Sequence, residues 1–391
     1  MLRVSQNRVM SSLPDAPEIT PEELVRAIES GHPLRVLDVR APAALAGGKI
    51  DVVPPEKFIN IRGSEILSMG EGVATALPAD GPIAVVCGKG NSSRQIVHHL
   101  IELGYSARSL RGGMAAWGDA VVSRELQPPA GFDAWIQFDR IAKGGLGYLV
   151  GSAGKALVVD PPRKWQAFAD LARERGLEIV GVADTHVHAD YISGAPLMAK
   201  SLRIPYYLHP ADGILPYDGT PGTIPFTALS DGQRVPVGSA ELVVEHTPGH
   251  TEGSVCYRAG DDAVLTGDFV FIRSIGRPDL GGKAAEWTPV LWKSLERARA
   301  AWKDGITIYP AHYASDAERE TDRSVGHAWG SLDNEPLRIR NESEFVSWVM
   351  GKIGASPDAY RKIKAVNLGL LQVWEMEAQE LETGKNACAL G

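Results

Sequence analysis

The chain has 391 residues, 44% of them hydrophobic and 23% charged, which is too long for one ordinary core, so two or more domains are expected. Lys+Arg 40 against Asp+Glu 48 leaves −8 with no long run of one sign, which argues against nucleic acid or an acidic membrane surface as a partner. No window approaches the about 18 apolar residues of a membrane span, no apolar leader opens the sequence, and Cys87, Cys256 and Cys388 lie too far apart for a disulfide framework; a cytoplasmic protein is expected.

After a polar lead-in, Thr20-Pro21-Glu22-Glu23 opens a helix. Thr20 can cap it, Pro21 suits its first position, and Glu23 can close a capping box. The helix is expected to run to about Ser30 and stop at Gly31. Leu34–Val39 and Pro82–Val86 read as strands, and this alternation favours a parallel sheet with helices on both faces. Cys87 ends the second strand. Gly88-Lys89-Gly90-Asn91 follows, and Ser92-Ser93-Arg94-Gln95 opens a helix through Leu103, Ser92 and Gln95 having capping-box spacing. Inward loop amides and a helix N-terminus place partial positive charge near sulfur, which lowers the thiol pKa and stabilises a thiolate or persulfide anion. Without that loop the cysteine would be ordinary core filler.

LDVR at Leu37–Arg40, CGKGNSS at Cys87–Ser93 and LRGGMAAW at Leu110–Trp117 resemble the rhodanese family of sulfurtransferases over roughly residues 18–120. The resemblance implies that Cys87 cycles between thiol and persulfide, with Asp38, Arg40 and Arg94 as further catalytic candidates. It places a rhodanese-like domain at residues 1–120. Two departures stand out: GGKIDVVPPEKFIN replaces a GHIPGA-like stretch, and Ser92 stands where many members place arginine.

Residues 121–132 carry Pro128-Pro129 and no sustained periodicity, and are expected to form a semi-rigid extended linker to a domain over 133–391. Strands are expected at Trp135–Asp139, Leu146–Val150, Ala156–Asp160 and Glu178–Ala183. A helix from Lys164 to Arg175 sets Trp165, Phe168, Leu171 and Ala172 on one packing face. Next comes THVHADY, Thr185–Tyr191, ahead of a helix from about Ile192 to Leu202. Extended backbone there would throw His186, His188 and Asp190 to one point, and imidazole with carboxylate suits a borderline divalent metal. Three later strands lead to His250 in TPGHT, Asp268 in TGD and His312 in PAH. Four strand ends carrying His or Asp are what a metal cleft at one sheet edge needs. His246 is ambiguous, Cys256 reads as strand core, and Ser356-Pro357 opens a tail of two helices. Cys388 is assigned no role, being near a terminus expected to be mobile.

The order HxHxD, TPGHT, TGD, PAH resembles the metallo-β-lactamase superfamily, and FIRSIGRPD at Phe271–Asp279 narrows this to the persulfide dioxygenases, ahead of glyoxalase II. The resemblance implies an α/β chain: a rhodanese-like parallel-sheet domain followed by an αββα sandwich. It implies metal ligands His186, His250 and Asp268, holding one Fe(II) per chain, although spacing alone admits Zn²⁺. His188, Asp190, Tyr191, Arg277 and His312 would orient those ligands or meet the substrate. Tyr191 replaces the family's usual histidine, which weakens a two-metal reading and leaves a one-metal reading intact. Fusion to a rhodanese-like domain then implies a bifunctional sulfur enzyme. Glutathione persulfide and O₂ would give sulfite and glutathione, while Cys87 exchanges sulfane sulfur with sulfite or thiosulfate. The competing readings are a glyoxalase II-type zinc thioesterase and a non-catalytic sulfur carrier or sensor. Partners are thus small molecules, with no nucleic acid or membrane, and homo-oligomer formation is left open.

Overall fold

Thr20 caps the helix Pro21–Glu29 as its sequence foretells: its hydroxyl accepts from the Glu23 amide at 3.1 Å, and the Glu23 carboxylate accepts from the Thr20 amide at 2.8 Å. In this computed structural model residues 16–78 and 80–390 are described; the polar lead-in lies outside them. The chain divides into two units at Ala120 and Val121. In the first, β1 (Glu18–Ile19), β2 (Arg35–Asp38), β3 (Phe58–Asn60), β4 (Ile83–Val86) and β5 (Ala107–Leu110) form one parallel sheet ordered β1-β5-β4-β2-β3. β4 is buried along its whole length, as a continuous apolar run in a parallel sheet should be. Leu37, Val85, Ile96, Val97 and Leu100 join the strands to the helix Asn91–Glu102. That helix starts at Asn91, and no capping box forms at Ser92. Its cap is Gly90, in the left-handed conformation, because the loop turns there to aim an amide at Cys87.

The second unit begins differently from the expected linker. β6 (Val122–Glu125) is an edge strand, paired antiparallel with β7 (Ala134–Arg140), so the opening of the 121–132 stretch already belongs to a sheet. β8 (Gly145–Ser152), β9 (Lys155–Val159), β10 (Glu178–Ala183), β11 (Tyr206–Leu208) and β12 (Thr227–Ala228) complete seven strands ordered β12-β11-β10-β9-β8-β7-β6. A six-stranded sheet follows in sequence order: β13 (Arg234–Val237), β14 (Ala240–His246), β15 (Val255–Ala259), β16 (Ala263–Gly267), β17 (Thr307–Pro310) and β18 (His327–Ala328).

Alternation decides what lies between the sheets. Tyr148 and Val150 of β8 and Leu157 and Val159 of β9 point one way, into a core shared with Val235, Val244, Tyr257, Leu265 and Ile308 of the other sheet. Leu149, Ala156 and Val158 point the other way, onto the helices Gln166–Glu174 and Ala195–Leu202 through Phe168, Ala172 and Met198. The helices Ala284–Ala301 and Glu342–Lys352 cover the second sheet through Leu291, Leu295, Phe345 and Val349. The layers run helix, sheet, sheet, helix. Among the described residues no helix is long and apolar enough to cross a membrane.

Candidate functional site

β10 ends at Ala183, β16 at Gly267 and β17 at Pro310, so the loops carrying His186, Asp268 and His312 leave from strand ends. His186, His250 and Asp268 are all buried, and their ligand atoms lie within 4.8 Å of one another. The tautomers are fixed from behind. The Thr185 hydroxyl donates to Asp160 Oδ2 at 2.9 Å, so at 3.0 Å it can only accept from His186 Nδ1. His250 Nδ1 donates to the Arg277 carbonyl at 2.9 Å. Both Nε2 atoms are left bare, without hydrogen-bond partners, facing Asp268 Oδ2 at 3.6 and 3.5 Å. Burial pushes His250 down to about 3 and holds His186 well below the usual histidine range, so neither ring supplies a proton to the gap. Burial lifts Asp268 to about 6. Two lone pairs confronting a carboxylate in a dry interior repel one another unless a cation stands between them. The donor set fits a divalent metal.

His188 does not join that group. The chain bends after β10 rather than staying extended, and the expected convergence of His186, His188 and Asp190 on one point splits into three neighbouring clusters. His188 Nε2 donates to Asp160 Oδ1 at 3.1 Å and faces Asp184 Oδ1 at 3.6 Å. Burial opposes charge on this ring, but the two carboxylates outweigh it and hold its pKa well above the usual value. Tyr191 stacks on His188 at 4.3 Å, and its hydroxyl sits 2.9 Å from the same nitrogen and donates to the Asp160 carbonyl at 3.3 Å. Tyr191 is thus turned to the Asp160 side. His246 belongs to none of the three clusters; its Nε2 donates to the Glu252 carbonyl at 2.8 Å.

Several organising residues escaped the sequence reading. Asp160 holds the start of the histidine loop through the Thr185 amide at 2.7 Å. Asp212 staples two loops together, accepting from the Val187 amide at 2.7 Å, the Thr251 hydroxyl at 2.8 Å and the Gly253 amide at 2.8 Å. Asn367 donates to the carbonyls of His188 and Tyr191, each at 2.9 Å. A polar residue ending an apolar strand, as Asp160 does, was the available signal.

The third cluster, Asp190, His312 and Cys388, contains the chief surprise. Cys388 is 0% exposed, not part of a loose terminus. The last residues run beside Ile275–Arg277: the Arg277 amide donates to the Cys388 carbonyl at 2.9 Å, and the Leu390 amide to the Ile275 carbonyl at 3.0 Å. Arg277 clamps this arrangement. Its guanidinium binds Asp279 at 2.6 Å and the carbonyls of Gly354 and Ala387 at 2.7 and 3.4 Å, while its own carbonyl orients His250.

In the first unit Cys87 Sγ receives the Gly90 amide at 3.1 Å and lies 3.2 Å from Ser93 Oγ. Burial alone would raise this thiol; hydrogen bonds from Ser92, Ser93 and the loop amides outweigh it and bring the pKa below the usual value. Gly113, at φ +60°, underlies the loop: a Cβ there would stand 2.3 Å from the Cys87 carbonyl oxygen. Asp38 and Arg40 instead pair with each other at 2.7 Å, and Arg40 donates to the Gly48 carbonyl at 2.8 Å, tying down the end of β2. Arg94 pairs with Glu18 at 2.7 Å. The hydrogen bonds of these three residues secure the frame around Cys87 and do not reach its sulfur.

Comparison with known proteins agrees with this division. The profile of the Metallo-beta-lactamase superfamily matches residues 142–316, and that of the Rhodanese-like domain residues 20–120. An uncharacterized protein of Mycobacterium leprae is 33% identical over 180 residues, 40% of this chain and 80% of its own length. The mitochondrial persulfide dioxygenase ETHE1 of Bos taurus is a homologue, 31% identical over 169 residues, 42% of this chain and 62% of its own. A metallo-beta-lactamase from Staphylococcus aureus superposes with a TM-score of 0.52 at 25% identity, over 66% of this chain and 74% of its own.

Proposed function

The chain belongs to the metallo-beta-lactamase superfamily and carries a rhodanese-like domain, and on that premise we propose that it is a sulfur enzyme with two centres. The second unit oxidises a small-molecule persulfide, with glutathione persulfide the expected substrate, and the first unit transfers sulfane sulfur through Cys87. The observation that carries the metal half is the set of orphaned donors: His186 Nε2, His250 Nε2 and Asp268 Oδ2 have no hydrogen-bond partner while facing one another. His186, His250 and Asp268 would hold an Fe(II), which would supply the redox chemistry that joins persulfide sulfur to dioxygen. The chain's own contribution is placement. Thr185 and the Arg277 carbonyl fix the imidazoles, and burial of all three ligands keeps bulk water out. Overall, RSSH, O₂ and H₂O give RSH, sulfite and two protons.

At Cys87 the thiolate sulfur takes the terminal sulfur of a sulfane donor: one S–S bond forms as the donor's breaks, and the donor leaves with the electron pair. The Gly90 amide holds the resulting anion. The test is oxygen uptake and sulfite formation by the full chain, purified without oxygen, on supplied glutathione persulfide. Stoichiometric uptake is expected. Cleavage of glutathione thioesters with no oxygen uptake would overturn the reading in favour of a zinc thioesterase.

A further inference from the structure

Asp212 joins the two loops that carry the imidazole ligands, and the proposed reaction gives it no part. β11 lies parallel beside β10, with Val182 opposite Tyr206 and Ala183 opposite Tyr207, so both strands release their chains at one edge of the sheet. The chain leaving β10 carries His186. The chain leaving β11 turns at once through Pro210–Gly213, where the His209 ring accepts from the Ala211 amide at 3.3 Å and the His209 carbonyl accepts from the Asp212 amide at 3.0 Å. That turn drives the Asp212 carboxylate inward, to 5% exposure. Its Oδ2 takes the Val187 amide at 2.7 Å and the Thr251 hydroxyl at 2.8 Å, and its Oδ1 takes the Gly253 amide at 2.8 Å. Val187 follows His186, and Thr251 follows His250. One oxygen therefore holds the residue next to each imidazole ligand. The direction of the Thr251 hydroxyl is settled as well: its one proton goes to Asp212, so across 2.7 Å it can only accept from Ser254 Oγ. Room around the carboxylate is tight, since a Cβ on Gly253 would stand 2.6 Å from the Asp212 amide nitrogen.

We propose that Asp212 is a positioning residue for the metal centre: through Val187 and Thr251 it sets the separation and aim of His186 Nε2 and His250 Nε2, and with them the centre's affinity for a divalent ion. Each imidazole is already held from behind at Nδ1, by the Thr185 hydroxyl and the Arg277 carbonyl, which fixes each ring within its own loop. Those two bonds leave the loops unrelated to one another. Asp212 relates them, because a single oxygen accepts from both. A carboxylate suits the post: it only accepts, so three donors can converge on it, and hydrogen bonds to a charged acceptor are the stronger kind. Burial pushes the Lys364 ammonium down, and Asp212 is the foremost charge opposing this, so a buried cation stands by to balance the carboxylate. This role requires a divalent ion at His186, His250 and Asp268 and does not require the persulfide reaction, so it holds whichever reaction the centre runs.

The test uses the full chain, stripped of metal and titrated with Co²⁺ without substrate, with visible cobalt absorption reporting the geometry of the ligands. The bands lost in His250→Ala identify this centre. Asp212→Asn, in either orientation of its amide, sets an amino group against a backbone donor, and should weaken cobalt binding about 10–100-fold and shift those bands. Thr251→Val cuts only the His250 side and should cost less, about tenfold at most, while Thr251→Ser, which keeps the hydroxyl, should restore both affinity and bands. Combining Asp212→Asn with Thr251→Val should cost no more than Asp212→Asn alone, because the two changes remove the same contact. Where Asp212→Asn folds poorly, the Thr251 pair carries the test. Wild-type affinity and bands in Asp212→Asn or in Thr251→Val, even with a lowered urea midpoint, would make the carboxylate a prop of the fold alone and overturn the proposal, as would losses that multiply in the double variant. A wild-type chain whose cobalt bands do not depend on His250 overturns it together with the metal reading.

Discussion

Cys87 and Cys388 are the same side chain in opposite surroundings. Around Cys87 lie donors, the Gly90 amide and the hydroxyls of Ser92 and Ser93, and the thiol is drawn below its usual pKa despite burial. Around Cys388 burial dominates, Asp190 and Asp268 add to it, and the thiol is pushed well above the usual value. One sulfur sits where the thiolate is favoured, the other where the neutral thiol is. The contrast extends to how each site is made. The Cys87 cradle comes from one short contiguous stretch, closed from below by Gly113. The metal centre is assembled from loops spread between residues 160 and 390, and each ligand depends on partners far away in the chain.

The largest effects should come from crossing the two centres. Asp268→Asn takes the carboxylate charge from the metal cluster and should cost the metal-dependent reaction more than the about 10–100-fold typical of a group that only orients a ligand. Sulfur transfer through Cys87 should survive it. Cys87→Ser should abolish sulfur transfer and leave oxygen uptake on supplied persulfide intact. Paired assays on both variants, with metal content measured, decide the matter. If either single change silenced both activities with metal retained, the two centres would not be separable as proposed.

A smaller effect sharpens the electrostatic side of the contrast. Asp268 sits at about 6 through burial, and a metal needs its carboxylate. Proton and metal therefore compete below that value. Uptake of metal at the His186, His250 and Asp268 cluster of the stripped chain should weaken by up to about tenfold per pH unit as pH falls below about 6, and level off above it. His250, at about 3, stays neutral across that range, and His312, 3.5 Å from Asp268 Oδ1 and raised to about 9 by Asp268 and Asp190 against its burial, keeps its proton across it, so the change falls on Asp268. Without metal the sign reverses. A carboxyl raised in the folded state stabilises while protonated, so its contribution to the stripped chain is lost as pH rises through about 6. Calorimetric metal titrations from pH 5 to 8 read the first effect, and an affinity flat across that interval contradicts it.

How far each centre could be read beforehand follows from the same contrast. The capping box at Thr20, the buried strands β2 and β4 and the loop after Cys87 are local patterns, and all lie in one stretch of sequence. β1 and β3, of two and three residues, are too short to show periodicity. In the second unit the strands leading to His186, His250, Asp268 and His312 were legible because each is an apolar run ending in a polar residue. What each ring would face was not. His188 leaves the metal cluster because Asp160, in the loop after β9, and Asp184 capture its nitrogen. Cys388 enters the interior because the backbone beside Ile275–Arg277 offers hydrogen bonds to the last residues of the chain. Ser92 failed as a cap because Gly90 turned first, toward the sulfur.

The finest distinction within the comparison concerns which donor sustains the Cys87 thiolate. Ser93 Oγ lies 3.2 Å from the sulfur and 2.8 Å from Ser109 Oγ, so it sits in a short buried chain of hydroxyls. Ser93→Ala removes one hydrogen bond to a charged group while the Gly90 amide remains. A single such bond contributes about 1.5–3 kcal/mol at most, and the amide and Ser92 should recover part of it. The thiol pKa should therefore rise by roughly one unit, each unit being about 1.4 kcal/mol, and sulfur transfer near neutral pH should slow several-fold rather than vanish. The pH profile of Cys87 alkylation measures this directly, with metal content as the control that the second unit is untouched. An unchanged profile would mean that the Ser93 hydroxyl spends its proton on Ser109, leaving the backbone amides as the whole cradle.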